Sequence, residues 1–133
     1  MSAASDDSAL RSDARVPDGT ELYRRVSPQM VKETPDGGLR VSSVAFQNTS
    51  GTEEMSVVLG DSLAAEGREP ASALAGCKGF GLVSLTAGFV RGEEQAVRRS
   101  PNPGEPAHGD VVGKKAPGRR KRFAAAATWA VAP

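Results

Sequence analysis

Leu82-Val83-Ser84-Leu85-Thr86-Ala87-Gly88-Phe89-Val90 is the stretch on which the fold turns. Val83, Leu85, Ala87 and Phe89 alternate with Leu82, Ser84, Thr86 and Gly88, so one face is apolar and the other small. A period of two is a strand signature, and it predicts one strand over 82–90. Beyond it, Arg91-Gly92-Glu93-Glu94 reads as a turn and Gln95 to Arg99 as a return strand. Ser100 to Pro106 holds three prolines and makes a rigid, irregular connection. His108 to Val112 reads as the last strand. Lys114 to Val131 reads as helical after Pro117, with an alanine-rich body that packs Phe123 and Trp129.

Towards the N-terminus, Pro70 to Ala75 predicts a short helix, with proline at its start and Gly76 just past its end. Met55 to Leu59 is an apolar strand. Gly60-Asp61-Ser62 breaks it, and Asp61 or Ser62 is the expected cap of a helix running to Glu66. Gln47 to Glu54 is a polar turn. Leu39 to Phe46 has no clean apolar face, so it reads as a strand buried on both sides or as partly loop. Pro35-Asp36-Gly37-Gly38 is a hairpin turn following a strand over Met30 to Thr34. Glu21 to Val26 is the first strand.

Strands and helices that do not alternate argue for an α+β fold: a mostly antiparallel sheet of about six short strands, two or three helices, and the C-terminal helix packed on the sheet. Residues 1–17, rich in Ser, Ala and Asp, read as a disordered tail, and 18–133 as a single domain.

The 133 residues suit one domain, and with 5% aromatics and no isoleucine the core must be mostly Val, Leu and Ala. Net charge is +1. It is unevenly spread: residues 1–66 carry 6 basic and 11 acidic residues, and residues 67–133 carry 11 basic and 5 acidic. The lone Cys77 allows no intramolecular disulfide and no cysteine-based metal site. There is no apolar N-terminal run and no stretch long enough to span a bilayer, so a cytoplasmic protein with no membrane partner is expected. Abundant Ala, Gly, Arg and Pro point to a bacterial chain.

His108 is the only histidine. Its ordinary pKa lies near neutrality, which suits a general base or a substrate-orienting donor. No cysteine, glutamate or second histidine stands at ligand spacing from it, so no metal is expected. Gly109 to Lys115 is not a phosphate loop, having three residues between its glycines and Lys115 where a hydroxyl belongs. Gly76 to Gly81 precedes a strand instead of opening a helix, so it lacks the phosphate-cradling geometry. Lys114, Lys115, Arg119, Arg120, Lys121 and Arg122 put six cations into nine residues and are the candidate nucleic-acid or anion-binding set. Consecutive charges on a helix spread around it, however, and do not form one stripe.

Arg24 and Arg25 on the first strand, followed by the Ser42-Ser43 pair, resemble the ADP-ribosyltransferase superfamily. There an early strand supplies Arg, a later one Ser, and a third an acidic or polar group. The resemblance implies that Arg24 or Arg25 holds the phosphates of NAD, that Ser43 supports the dinucleotide, and that Asp110 or Glu94 supplies the third group. The combination of LYRRVSP, SSVAF, MSVVL and PAHGDVVGKK is also similar to small uncharacterised bacterial proteins.

Three functional expectations result. The leading one is a small binding or accessory protein working with a protein partner, because no paired carboxylates, metal spacing or nucleotide loop is present. The second is an ADP-ribosyltransferase-like or other nucleotide-using enzyme built on His108, Arg24 (or Arg25) and Ser43. The third is nucleic-acid binding through residues 114–122. The sequence requires no cofactor, and NAD enters only with the second.

Overall fold

A computed structural model describes residues 12–133. The elements in chain order are β1 (Glu21–Val26), β2 (Val31–Glu33), β3 (Leu39–Val41), β4 (Glu54–Leu59), α1 (Gly60–Ala65), β5 (Gly81–Thr86), α2 (Ala87–Gly92), β6 (Ala96–Arg99), β7 (His108–Val112), α3 (Pro117–Ala126) and β8 (Thr128–Val131). Single 3-10 turns occupy Pro28–Met30, Ser43–Phe46 and Pro70–Leu74. Six strands form one sheet in the order β6-β7-β4-β1-β5-β8, with every neighbouring pair antiparallel. β2 and β3 form a separate hairpin. The expected α+β class, the antiparallel six-stranded sheet and the C-terminal helix lying on it are all present.

The stretch over 82–90 divides. Its strand ends at Thr86, whose hydroxyl accepts from the Phe89 amide at 3.1 Å and so caps α2. A side-chain cap satisfies an amide that the ladder would otherwise have to meet, which turns the chain despite the alternating pattern. Leu39 to Phe46 divides in the same way. β3 ends at Val41, and the Ser42 hydroxyl accepts from Val44 N at the start of the 3-10 turn. α1 departs from the expected cap: it begins at Gly60 straight out of β4, with Asp61 inside its first turn and no side-chain cap.

The C-terminal segment is helical only to Ala126. Thr128–Val131 then pairs with β5 as an eighth strand, so β7 is not the last. β-branched and aromatic side chains at Thr128, Trp129 and Val131 suit an edge strand better than a helix. Trp129, expected on the helix, lies on β8 and donates its Nε1–H to Leu39 O at 3.1 Å.

The expected tail over 1–17 falls mostly outside the described residues, but 12–17 are packed. Asp13 N donates to Val97 O at 2.7 Å, and Val16 is buried. A polar composition concealed this because one valine and a few backbone bonds anchor the segment.

Two apolar layers flank the sheet. Leu22, Val57, Leu59, Val83 and Val111 face the 43–46 turn and α3, where Phe46 and Phe89 pack edge-on to Phe123 with ring centroids 5.9 and 5.8 Å apart. On the other side Val58 and Leu82 meet Leu63, Ala73 and Ala107. Gly109 sits where a Cβ would meet Arg98 O at 2.8 Å and Leu59 Cδ2 at 2.9 Å, so β7 tolerates only glycine beside His108. Among the described residues no helix is long and apolar enough to cross a membrane.

Phe123 is the one buried side chain of α3. Phe123→Ala is expected to cost about 3–5 kcal/mol, the usual loss for emptying a buried aromatic site. An unfolding free energy from denaturant titration lowered by less than a third of that would mean that α3 is held by other contacts.

Candidate functional site

The sheet opens between β1 and β4. β1 pairs with β5 along its whole length, from Glu21↔Thr86 to Val26↔Gly81. Against β4 it makes only two pairs, Leu22↔Leu59 and Tyr23↔Val58. Past Tyr23 the strands part, and a shallow cleft lined by Tyr23, Arg24, Arg25, Ser56, Val58 and His108 occupies the gap.

Arg24 holds the gap open. Its Nη1 donates to Ser56 O at 2.8 Å and its Nε to Ala45 O at 2.9 Å. A buried strand carbonyl must find a donor, and here the guanidinium supplies it in place of a β1 amide. Burial, and after it the neighbouring Arg25, pushes the Arg24 pKa down from its ordinary value, although a guanidinium stays charged at physiological pH. Arg24 is therefore committed to backbone oxygens. Arg25, next along β1, is exposed and lines the cleft; its Nε donates to Ala73 O at 2.6 Å.

His108 enters the cleft from β7, opposite Val58 in the ladder. Its Nδ1 lies 2.7 Å from Ser100 Oγ and 3.0 Å from Ser100 O. The Ser100 hydroxyl donates to Asp110 Oδ2 at 2.7 Å. A carbonyl only accepts, and the one hydroxyl proton is already given to Asp110. Nδ1 must therefore carry the ring proton, which assigns the tautomer and leaves Nε2 with its lone pair. The order is Asp–Ser–His, with serine in the middle. In a nucleophilic triad histidine stands between the other two and removes the serine proton. Here Ser100 is a positioning residue, and the uncommitted group is His108 Nε2.

Of the residues expected to carry chemistry, Arg24, Arg25 and His108 thus line one cleft, with Asp110 two positions beyond His108 on the same strand face. Glu94 is elsewhere, in the turn after α2, where it accepts from Arg119 at 2.9 Å. Ser43 lies apart from the cleft in a groove of about 510 Å³ with Ser42, Lys32, Arg40 and Lys121. Arg24 connects the two regions, because the Ala45 carbonyl it holds belongs to the turn that Ser43 begins.

The basic C-terminal set is dispersed. Arg119 and Arg122 bind Glu93, the closest contact being Arg122 Nη2 to Oε1 at 2.9 Å. Lys121 faces the 510 Å³ groove, Arg120 faces the 47–52 loop, and Lys114 is exposed. Lys115 is buried, with its ammonium on Asn48 Oδ1, Val111 O and Gly113 O, the last two at 2.9 and 3.0 Å. All three of its donors are used inside the protein. Burial, with some repulsion from Arg24, brings its pKa down to about 8. Among the described residues no group of acidic, histidine or cysteine side chains could hold a metal ion.

Ser100, Lys32 and Arg40 were not singled out from the sequence. Ser100 hides in a proline-rich connection that only folding brings back to His108. Lys32 and Arg40 were open to the Pro35–Gly38 turn, because a hairpin turn fixes the pairs across it.

No family model, no curated protein and no solved structure matches the chain.

Two measurements check this geometry. At pH above the imidazole transition, nitrogen NMR of His108 is expected to show a protonated Nδ1 and a bare Nε2; the reverse pattern would break the Ser100 assignment. For Lys115 the depressed folded pKa means that the folded chain binds fewer protons than the unfolded one between about pH 8 and the ordinary lysine value of 10.5. Its contribution to stability should therefore rise with pH across that window. Lys115→Met should flatten the rise; an unchanged slope would assign it to other groups.

Proposed function

We propose that the protein is a nucleotide-using enzyme of the ADP-ribosyltransferase kind, acting on NAD at the opening between β1 and β4. The observation that supports this most directly is that His108 and Arg25 line one cleft at a gap in the sheet, which Arg24 holds from the opposite face. His108 Nε2 is the acid–base group, accepting a proton from an attacking water or hydroxyl as nicotinamide leaves. Ser100, itself bonded to Asp110, holds the ring in orientation. Arg25 meets phosphate charge on the ligand, while Arg24 keeps the gap open. The same reading places the protein in a bacterial cytoplasm, on its composition and single cysteine.

The test is release of nicotinamide from NAD, followed by chromatography beside a thermal-shift titration. The parent protein should be stabilised by NAD and should release nicotinamide. His108→Asn should lower turnover by about 10²–10⁴-fold, the usual worth of a positioned acid–base group, with the unfolding temperature held within a few degrees. Arg25→Gln should weaken NAD binding. If millimolar NAD neither stabilises the parent nor is consumed, the enzyme reading fails. Co-purification of one specific protein would then favour a binding or accessory role.

A further inference from the structure

The β2–β3 hairpin carries a charge arrangement that its own stability disfavours. Lys32 on β2 stands directly opposite Arg40 on β3. Like charges at opposed positions of an antiparallel pair are destabilising. Lys121 reaches the same space from α3, and Ser42 and Ser43 contribute from the turn that follows β3. Among the described residues none of these three cations has an acidic partner. The chain does neutralise neighbouring charge on the same helix, where Arg119 and Arg122 are both paired to Glu93. Three unneutralised cations therefore surround a groove of about 510 Å³, the size of a small-molecule site. Val41 and the α3-end residues Ala124, Ala125 and Ala127 supply the apolar part of its lining.

We propose that this groove is a binding site for the diphosphate group of a small molecule. Two or three cations are what a diphosphate requires, and hydroxyls at Ser42 and Ser43 suit its outer oxygens. Ala124, Ala125 and Ala127, which line the groove from the end of α3, give an attached organic moiety an apolar surface to lie on. The groove is a pocket and not a track, since the other C-terminal cations are turned away from it. That geometry favours a small ligand over the backbone of a nucleic acid. The site stands apart from the His108 cleft, and its existence does not depend on the enzyme proposed there.

Isothermal titration of the full chain with inorganic pyrophosphate and with ADP tests it, at low and at moderate salt. Both ligands should bind, ADP more tightly, and both more weakly as salt rises. Lys32→Glu places opposite charges across the hairpin. It should leave the unfolding temperature of the ligand-free protein unchanged or raised, while weakening pyrophosphate at least tenfold. Arg99→Glu alters net charge equally at the far edge of the sheet and should bind as the parent does. His108→Asn should also bind pyrophosphate normally, which separates this site from the cleft. Parent-like affinity in Lys32→Glu, equal losses in Lys32→Glu and Arg99→Glu, or binding of long oligonucleotides alone would each overturn the proposal.

Discussion

The guanidinium of Arg24 is the interaction around which the architecture is arranged. It lies on the core face of β1, between Leu22 and Val26, where an apolar side chain would be the ordinary choice. Placing an arginine there is tolerable only if backbone oxygens receive its donors. Ser56 O and Ala45 O do so, and each has a structural consequence. Occupying Ser56 O replaces a ladder bond and lets β4 diverge from β1. Occupying Ala45 O draws the 43–46 turn down onto the sheet and buries Phe46 against Phe123. One charged side chain thus sets the gap and helps to set the packing beside it.

A second buried cation repeats the device nearby. Lys115 binds the carbonyls of Val111 and Gly113 where β7 ends, and Asn48 completes the arrangement by donating to Gly113 O at 3.0 Å. Arg24 is close enough to Lys115 to disfavour its charge. Their cost is offset by the carbonyl oxygens of Ala45, Ser56, Val111 and Gly113, which accept from them. On the opposite side of the sheet, Arg68 and Glu105 join the loop after α1 to the connection before β7 by paired hydrogen bonds, and the Ala107 amide adds a further donor to Glu105. The approach of β7, and with it the position of His108, is fixed from both sides.

Much of the fold was legible because it rests on local rules. Glu21–Val26 and His108–Val112 were readable as strands to the residue, and the Pro35–Gly38 turn as a hairpin. The failures have a common physical form. At Thr86 and at Ser42 a single side-chain hydroxyl capped a turn inside a segment whose apolar pattern still read as strand. At Trp129 the open edge of β5 recruited residues that a helix could also have used. The site was legible in part: Arg24, Arg25 and His108 could be named, but their roles could not be divided. Whether an arginine holds a ligand or holds the sheet depends on which oxygens surround it, and sequence spacing does not contain that information. Ser100 was invisible for the same reason, since its meaning comes from the return of β7 alongside β6.

The positive charges of this chain are best sorted by what accepts from them. Arg24 and Lys115 are saturated by backbone and amide oxygens, so they belong to the architecture. Arg68, Arg91, Arg119 and Arg122 are matched to carboxylates and link surface elements. The more exposed of these, Arg91 with Asp18 and Arg122 with Glu93, contribute little to stability individually. Among the described residues Lys32, Arg40 and Lys121 have neither kind of partner yet converge on one groove, and two of them oppose each other across a ladder. A fold usually arranges its surface so that such repulsion is relieved by a nearby acid, and Glu33, adjacent to Lys32, stands on the other face of the strand. Exchanging these two neighbours would have relieved the strain at no cost to the hairpin pattern. An arrangement that a minimal rearrangement would improve is best explained by an anion that the free protein does not itself supply.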